Sequence, residues 1–196
     1  MMGKVEFFNN HAENWDNHAR HDQAKLNEIV GMIGFCAGDR VMDVGTGTGV
    51  MVPHIMGQIG ENGSLEAYDI AEKMLEVASR KFSHKNLKFV CADAIEVPGD
   101  DLFDVVVCYS VFPHFDDGKK AVASFARLLK KGGRLAICHS QPRDEINRIH
   151  AGAGPEIGGD YLPEGAKLAD VMRKNLLEVS KIVDDDRMYF LLGVKR

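Results

Sequence analysis

Strand-like and helix-like patterns of hydrophobic positions alternate through the middle of the chain. Five short apolar runs of β-type residues recur between residues 40 and 140, and the segments between them carry apolar side chains at helical spacing. This alternation predicts a mostly parallel sheet covered by helices. The predicted strands are Val41–Val44, Leu65–Ile70, Lys88–Ala92, Phe103–Tyr109 and Arg134–His139, and helices are predicted at Ala71–Phe82 and Asp117–Lys131.

The end of the chain departs from this alternation. A helical pattern at Glu164–Asn175 is followed by two β-rich runs, Leu177–Val183 and Met188–Val194, which only four residues separate. A link this short forces an antiparallel hairpin, because a parallel crossover needs a dozen or more residues. The pattern therefore predicts an α/β fold with a doubly wound, seven-stranded, mostly parallel sheet and a C-terminal antiparallel hairpin, in a single domain over residues 1–196.

Composition narrows the function classes. The net charge of −5 argues against tight nucleic-acid binding, which needs a basic face. The cysteines form no C-x-x-C pair, and Cys91, Cys108 and Cys138 lie in apolar runs, which is typical of reduced core thiols. The longest apolar run, residues 105–112, is too short to span a bilayer, and residues 1–20 carry no apolar signal segment. We expect a cytoplasmic protein without a transmembrane segment.

The segment from Val41 to Gly49 is the most informative motif. A short strand containing Asp43 ends in three alternating glycines, and a helical pattern follows. Glycine lets a ligand approach the backbone closely, and the helix start offers free N–H groups. The dinucleotide fingerprint needs its third glycine where Val50 stands, and Asp43 would repel a pyrophosphate. The motif instead suits a ligand that carries an amine or a sulfonium cation.

This motif resembles the first motif, acid-x-G-x-G-x-G, of the class I S-adenosylmethionine-dependent methyltransferases. The pattern is nearest to the small-molecule enzymes of the ubiquinone/menaquinone-biosynthesis type, and the resemblance covers about residues 20–196. It implies a Rossmann-like fold and S-adenosyl-L-methionine as the cofactor. The cofactor-binding positions that it implies are Asp43, Gly45, Thr46 and Gly47 for the methionyl amine and carboxylate, Asp69 for the ribose hydroxyls, Ile70, Met74, Asp93 and Ala94 for the adenine, and Tyr109 and Ser110 beside the methionyl group.

Two of these positions have an ordinary structural alternative. Met74 would pack equally well between a helix and the sheet. Asp93 ends a predicted strand, where an Asp often forms an Asx turn with its own backbone.

Histidines supply the candidate catalytic groups. Methyl transfer needs alignment of donor and acceptor, exclusion of water and sometimes removal of a proton. His114 follows the fourth predicted strand and His139 ends the fifth, at one sheet edge, so either is a candidate general base. Alternatively, His21, His114, His139 and His150 could gather a divalent metal ion, or they could be separate solvated or capping histidines.

Two segments are candidate covers for the site. Residues 1–35 are expected to form an N-terminal lid and a helix, and the glycine-rich part of residues 140–165 is either a substrate cover or a plain connector. The chain lacks the N/D-P-P-Y/F tetrapeptide of base-modifying enzymes after the fourth strand. We therefore expect methyl transfer to a small-molecule acceptor by in-line displacement. The alternatives are a nicotinamide-dependent reductase and a non-catalytic module that senses cofactor or metal. The acceptor and the oligomeric state are not indicated.

Overall fold

A computed structural model describes residues 2–19 and 21–196. Its seven strands are β1 (Arg40–Val44), β2 (Ser64–Asp69), β3 (Leu87–Cys91), β4 (Phe103–Tyr109), β5 (Leu129–His139), β6 (Leu177–Asp184) and β7 (Tyr189–Lys195). They form one sheet with the order β3-β2-β1-β4-β5-β7-β6. Strands β1 to β5 pair in parallel, whereas β7 runs antiparallel to both β5 and β6. This arrangement confirms the predicted fold class.

Helices cover both faces of the sheet. They are α1 (Met2–His11), α2 (Trp15–His18), α3 (Gln23–Ile33), α4 (Val52–Ile59), α5 (Glu72–Lys81), α6 (Gly118–Leu128), α7 (Arg143–Ala151) and α8 (Gly165–Lys174). Phe125 of α6 and Leu168 of α8 belong to the apolar core on one face. Ile29 of α3 and Ile55 of α4 belong to the core on the other face. No helix among residues 2–19 and 21–196 has both the length and the apolar character needed to cross a membrane.

Two sequence-based details were wrong. The predicted helix Asp117–Lys131 ends at Leu128, and β5 begins at Leu129 rather than at Arg134. Lys130 and Lys131 therefore lie on a strand, because Leu129 pairs with Phe103 of β4 and prolongs the sheet.

Cys91 is exposed rather than buried, since β3 is an edge strand, whereas Cys108 and Cys138 are buried as expected.

The order of the strands creates one switch point. β1 lies between β2, which continues the sheet in one direction, and β4, which continues it in the other. In open α/β sheets, ligands bind at the carboxyl ends of the strands beside such a point. The glycine motif follows β1 at this place.

Candidate active site

The glycine motif forms a tight bend after β1. Gly45, Gly47 and Gly49 all have positive φ, at 64°, 55° and 88°, which side-chain-bearing residues adopt at a cost. A Cβ on Gly45 would overlap Val111, and a Cβ on Gly49 would stand 2.8 Å from Phe82 Cε2. The space above Gly47 is more open, because the nearest atom is 3.9 Å away. The bend therefore leaves the backbone at Gly47 accessible.

Two buried polar atoms beside the bend have no hydrogen-bond partner among the described residues, Asp43 Oδ2 and Thr46 Oγ1. Both side chains are almost fully buried. Burial raises the pKa of Asp43 to about 7. A buried carboxylate with an unpaired oxygen is costly in free energy, whereas a ligand cation or amine would stabilise it. These two groups therefore fit the charged methionyl end of S-adenosylmethionine.

Asp69 connects β2 to the bend. Its Oδ2 accepts a hydrogen bond from the Gly47 N–H at 2.9 Å, and its Oδ1 accepts one from the Ala71 N–H at 2.8 Å. Burial raises the pKa of Asp69, although these two hydrogen bonds oppose that effect. Each carboxylate oxygen can accept a further bond, so the side chain retains capacity for a pair of hydroxyl groups.

The predicted adenine positions lie along the ends of β2 and β3. Met74 is 1% exposed and packs with Ala12, so its alternative packing role is present in the structure. Asp93 forms the alternative Asx turn as well, because its Oδ1 accepts a bond from the Ile95 N–H at 3.1 Å. Both Met74 and Asp93 nevertheless remain at the site. They line one cavity together with Asp69, Ile70 and Ala94.

This cavity has a volume of about 800 Å³ and joins two chemically different ends. One end contains the bend and the predicted adenine positions, and the other contains histidines and apolar side chains. Every predicted cofactor-binding residue lines it except Asp43, which is buried next to the bend. The volume falls within the range of small-molecule and cofactor sites.

The N-terminal segment, residues 2–19, covers the cofactor end of the cavity. Asp16 accepts a hydrogen bond from the Thr48 hydroxyl at 2.5 Å and pairs with Lys81 of α5 at 2.5 Å. Trp15 packs against the buried Ala12–Met74 cluster, and the Asn9 side chain accepts a bond from the Lys73 N–H at 3.0 Å. Contacts from three points therefore hold this segment over the bend.

Tyr109 lies at the end of β4, deep in the cavity. Its hydroxyl donates to Ser140 Oγ at 2.9 Å and is 2.8 Å from His21 Nδ1. Burial raises the pKa of Tyr109 to about 12 and lowers the pKa of His21. The neighbouring Ser110 has a positive φ of 55°, which is uncommon for a residue other than glycine and occurs often at functional sites.

His114 lies at the histidine end of the cavity and forms polar contacts with Asp160 and Lys4. Its Nδ1 lies 2.5 Å from Asp160 Oδ2, and the other Asp160 oxygen pairs with Lys4 at 2.7 Å. Lys4 also donates to the His114 carbonyl at 2.9 Å. Three distant parts of the chain therefore meet at the carboxylate of Asp160.

The four candidate metal ligands do not converge equally. His114 and His150 are neighbours, with ring centroids 5.0 Å apart, whereas His21 bonds to Tyr109 instead. His139 is 1% exposed, and neither of its ring nitrogens has a partner among the described residues. Among residues 2–19 and 21–196, no group of three or more His, Cys, Asp or Glu side chains is arranged to hold a metal ion.

Sequence reasoning did not find Lys4, Asp16 and Asp160. Lys4 and Asp16 lie in the expected lid, but nothing in their spacing marks them. Asp160 lies between glycines and a proline in a segment without periodicity. Its role is visible only through the contacts that the fold creates.

The sheet order, the terminal antiparallel strands and the bend with its flanking carboxylates agree with the fold of the class I S-adenosylmethionine-dependent methyltransferases. Residues 42–137 match the family model described as a methyltransferase domain. This match and the similar proteins support a methyltransferase of this class with S-adenosylmethionine as its cofactor, near the enzymes of the ubiquinone/menaquinone type.

Individual relatives agree with this assignment. The chain is 35% identical over 119 residues to a ubiquinone/menaquinone biosynthesis C-methyltransferase of a Marinomonas species. This alignment covers 58% of this chain and 47% of that protein. The chain is 29% identical over 132 residues to a malonyl-[acyl-carrier protein] O-methyltransferase of Acetivibrio thermocellus, covering 66% and 46%. The match therefore spans about half the length of these relatives. A methyltransferase structure from Aquifex aeolicus superposes with a TM-score of 0.71 at 21% identity, over 87% of this chain and 89% of that one.

Proposed function

We propose that the protein transfers the methyl group of S-adenosylmethionine to a small-molecule acceptor by in-line displacement. The observation that supports this proposal is the continuous cavity from the glycine bend to His114. A donor at the bend and an acceptor at the histidine end would lie end to end within it. Alignment of this kind is the main contribution that an enzyme makes to such a displacement.

The bend and its neighbours would hold the cofactor. Bound S-adenosylmethionine supplies a methyl group on a sulfonium sulfur and leaves as a neutral thioether. The unpaired carboxylate of Asp43 suits the methionyl amine, and the free oxygen capacity of Asp69 suits the two ribose hydroxyls. The remaining proposed positions are Gly45, Thr46, Gly47, Ile70, Met74, Asp93, Ala94, Tyr109 and Ser110, all of which line the cavity.

The acceptor end would exclude water. Phe7, Phe8 and Trp15 from the N-terminal segment line the cavity, as do Ile146 and Ile149 of α7. An apolar enclosure removes competing water and strengthens the electrostatic interactions inside it. In this proposal residues 1–35 form a lid with its following helix, residues 140–165 form the substrate cover, and residues 1–196 act as one methyltransferase domain.

The acceptor is proposed to be a small molecule rather than a nucleic acid. The net charge of −5 is unfavourable for a polyanionic partner, and the enclosed cavity is suited to a compact ligand. The four cysteines are free, which is consistent with work in a reducing cytoplasm.

Calorimetric titration and labelled methyl transfer test the proposal together. We expect S-adenosylhomocysteine to bind tightly, NADH to bind much more weakly, and label from S-adenosylmethionine to enter a small product when a metabolite extract is added. Tight binding of NADH alone would indicate a reductase instead. Binding of S-adenosylhomocysteine without transfer to any fraction would favour a sensing module.

A further inference from the structure

Trp15 of the N-terminal segment directs the polar edge of its ring at the glycine bend. Its Nε1 is the nearest atom to the position that a Cβ on Gly47 would occupy, at 3.9 Å. An indole N–H only donates hydrogen bonds, and no described residue accepts one from it. The ring is half-buried, and the N–H of a tryptophan removed from water usually finds a partner. This donor is therefore suited to a ligand that lies over the bend.

Contacts on two sides hold the indole in place. The ring packs against the buried apolar cluster that contains Met74, and it meets the ring of Phe8 with 5.5 Å between centroids. The next residue, Asp16, accepts a hydrogen bond from the Thr48 hydroxyl. The backbone and the ring of Trp15 are therefore both fixed, so the donor needs little rearrangement to bind a ligand.

Two histidines beside the cofactor end have already used their donors. His18 Nδ1 lies 2.8 Å from the carbonyl oxygen of Asn14, which only accepts, so the His18 proton lies on Nδ1. His21 Nδ1 lies 2.8 Å from the Tyr109 hydroxyl, which donates to Ser140 Oγ, so His21 donates to Tyr109 through Nδ1. While neutral, each ring then has only Nε2 left, which accepts. Of these three rings, only the indole keeps a free N–H.

The charges around the bend indicate which ligand group this donor would meet. Asp43 and Asp69 place two carboxylates beside the bend, which suit the amine and the ribose hydroxyls of the proposed cofactor. The carboxylate of the cofactor would be repelled by both side chains and only accepts hydrogen bonds, so it requires donors. Two donors are free beside Gly47. They are the Trp15 N–H and the buried hydroxyl of Thr46, whose Oγ1 has no partner among the described residues.

We infer that Trp15 is a specificity-determining residue that binds the carboxylate at the amino-acid end of the cofactor through its Nε1–H. This inference rests on the proposed function, and it adds a residue of the N-terminal segment to the positions proposed on the bend and the strand ends. A nucleoside without that carboxylate leaves the indole N–H without a charged partner. The N-terminal segment therefore closes more firmly on a nucleoside with an intact amino-acid tail than on one that has lost its carboxyl group.

The first test uses the fact that Trp15 is the sole tryptophan, so the full chain gives one indole N–H peak in a nitrogen-15 correlation spectrum. We expect saturating S-adenosylhomocysteine to move the indole proton downfield, because the N–H then donates to a carboxylate. Decarboxylated S-adenosylhomocysteine, which retains the amine, should leave the peak nearly unmoved. Equal downfield shifts with both ligands would overturn the inference. An equal shift with adenosine would also overturn it, since the donor would then lie at the ribose.

The second test compares affinities by calorimetry. Trp15→Phe retains an aromatic ring for the apolar cluster but removes the N–H. It should weaken binding of S-adenosylhomocysteine about 10-fold, as expected for one hydrogen bond to a charged group, and binding of the decarboxylated compound less than about 2-fold. Phe8→Leu is the control for packing, because it removes the ring contact with Trp15 but no donor, and it should weaken both ligands by the same factor. Equal losses for both ligands in Trp15→Phe would overturn the inference.

Failure of the proposed function has a different signature. If the wild type did not bind S-adenosylhomocysteine, the proposed cofactor would be wrong and the inference would be refuted with it. If the wild type and Trp15→Phe both bound S-adenosylhomocysteine with the same affinity, only the inference would be refuted. Circular dichroism checks that Trp15→Phe is folded, and the spectroscopic test needs no substitution.

Discussion

Trp15 lies over the glycine bend, with its Nε1 3.9 Å from the position that a Cβ on Gly47 would occupy. It is the sole tryptophan of the chain, so fluorescence excited selectively at tryptophan reports on this place alone. The relationship connects the N-terminal segment directly to the proposed cofactor site, so movement of the proposed lid can be followed through Trp15.

The first prediction concerns the contact that holds this lid. Asp16→Asn removes the charge that pairs with Lys81 but retains a side chain of the same size. We expect S-adenosylhomocysteine to change Trp15 fluorescence in both proteins, and to dissociate several-fold faster from the variant because the lid opens more easily. Stopped-flow fluorescence measures this rate. Glu13→Gln is the control, since it removes an exposed ion pair with Arg80 from the same segment and should have little effect. Equal dissociation rates in wild type and Asp16→Asn would show that the pair does not hold the lid.

The second prediction separates backbone strain from steric overlap at the bend. Gly34 has a φ of 69° in the left-handed region and open space around it, so Gly34→Ala should lower the free energy of unfolding by about 1–2 kcal/mol through strain alone. Gly45 has nearly the same φ of 64°, but its new methyl group would also overlap Val111. Gly45→Ala should therefore cost clearly more and abolish binding of S-adenosylhomocysteine. Denaturant unfolding measures both variants.

A double variant checks that explanation. Val111→Ala should recover part of the stability lost in Gly45→Ala, because it removes the two Cγ atoms of residue 111, although its Cβ stays 2.7 Å from the new methyl group. Strict additivity of the two single effects would show that the overlap is not the cause.

The third prediction concerns the pH dependence created by Asp43. Its pKa in the folded protein is about 7, compared with an ordinary value of 3.8. Between these values the folded state binds more protons than the unfolded state, so the free energy of unfolding falls as pH rises through this window. Asp43→Asn should remove this loss and stabilise the ligand-free protein above pH 7, by at most about 4 kcal/mol. The gain should vanish below about pH 4.

Urea unfolding across this pH range measures the effect. The same variant should bind S-adenosylhomocysteine more weakly, since the methionyl amine loses its anionic partner. A variant that is no more stable than the wild type near pH 8, yet still folds, would contradict the assigned cost of burying this carboxylate.

The fourth prediction concerns recognition of the nucleoside. Asp69→Asn retains the size of the side chain but weakens its acceptance from the Gly47 N–H and, in the proposed function, from two ribose hydroxyl groups. We expect a loss of affinity for S-adenosylhomocysteine of about 10- to 100-fold, corresponding to one or two charge-assisted hydrogen bonds. Asp93→Asn should instead reduce the preference for the adenosyl over the inosyl compound, because Asp93 is proposed to accept a bond from the adenine amino group. Calorimetry measures the affinity of each variant for both nucleosides. The same loss of affinity and the same preference in Asp69→Asn and Asp93→Asn would refute the two separate roles.

The sequence predicted the fold well because its signals are local. The apolar period identifies each strand and helix, and the four residues between the last two strands allow only a hairpin. The glycines of the bend, Asp69 and Asp93 could be placed together, since parallel strands end at the same edge of a sheet.

The acceptor end could not be predicted to the same depth. Its central contact joins Asp160 to Lys4, which are far apart in the sequence and lie in segments without diagnostic periodicity. The exposure of Cys91 was missed for a related reason, because an apolar run does not reveal whether its strand lies at the edge or in the middle of the sheet. Such features depend on tertiary neighbours rather than on local pattern.

One continuous segment, residues 2–19, touches both ends of the cavity, through Asp16 beside the bend and through Lys4 beside His114. In the proposed function, entry of the acceptor and exit of the spent nucleoside would therefore both depend on movement of this segment. Weakening the contact of Asp16 or that of Lys4 should alter the Michaelis constants of both substrates in the same direction. Release of the product, rather than the methyl transfer itself, is then expected to limit the rate of turnover.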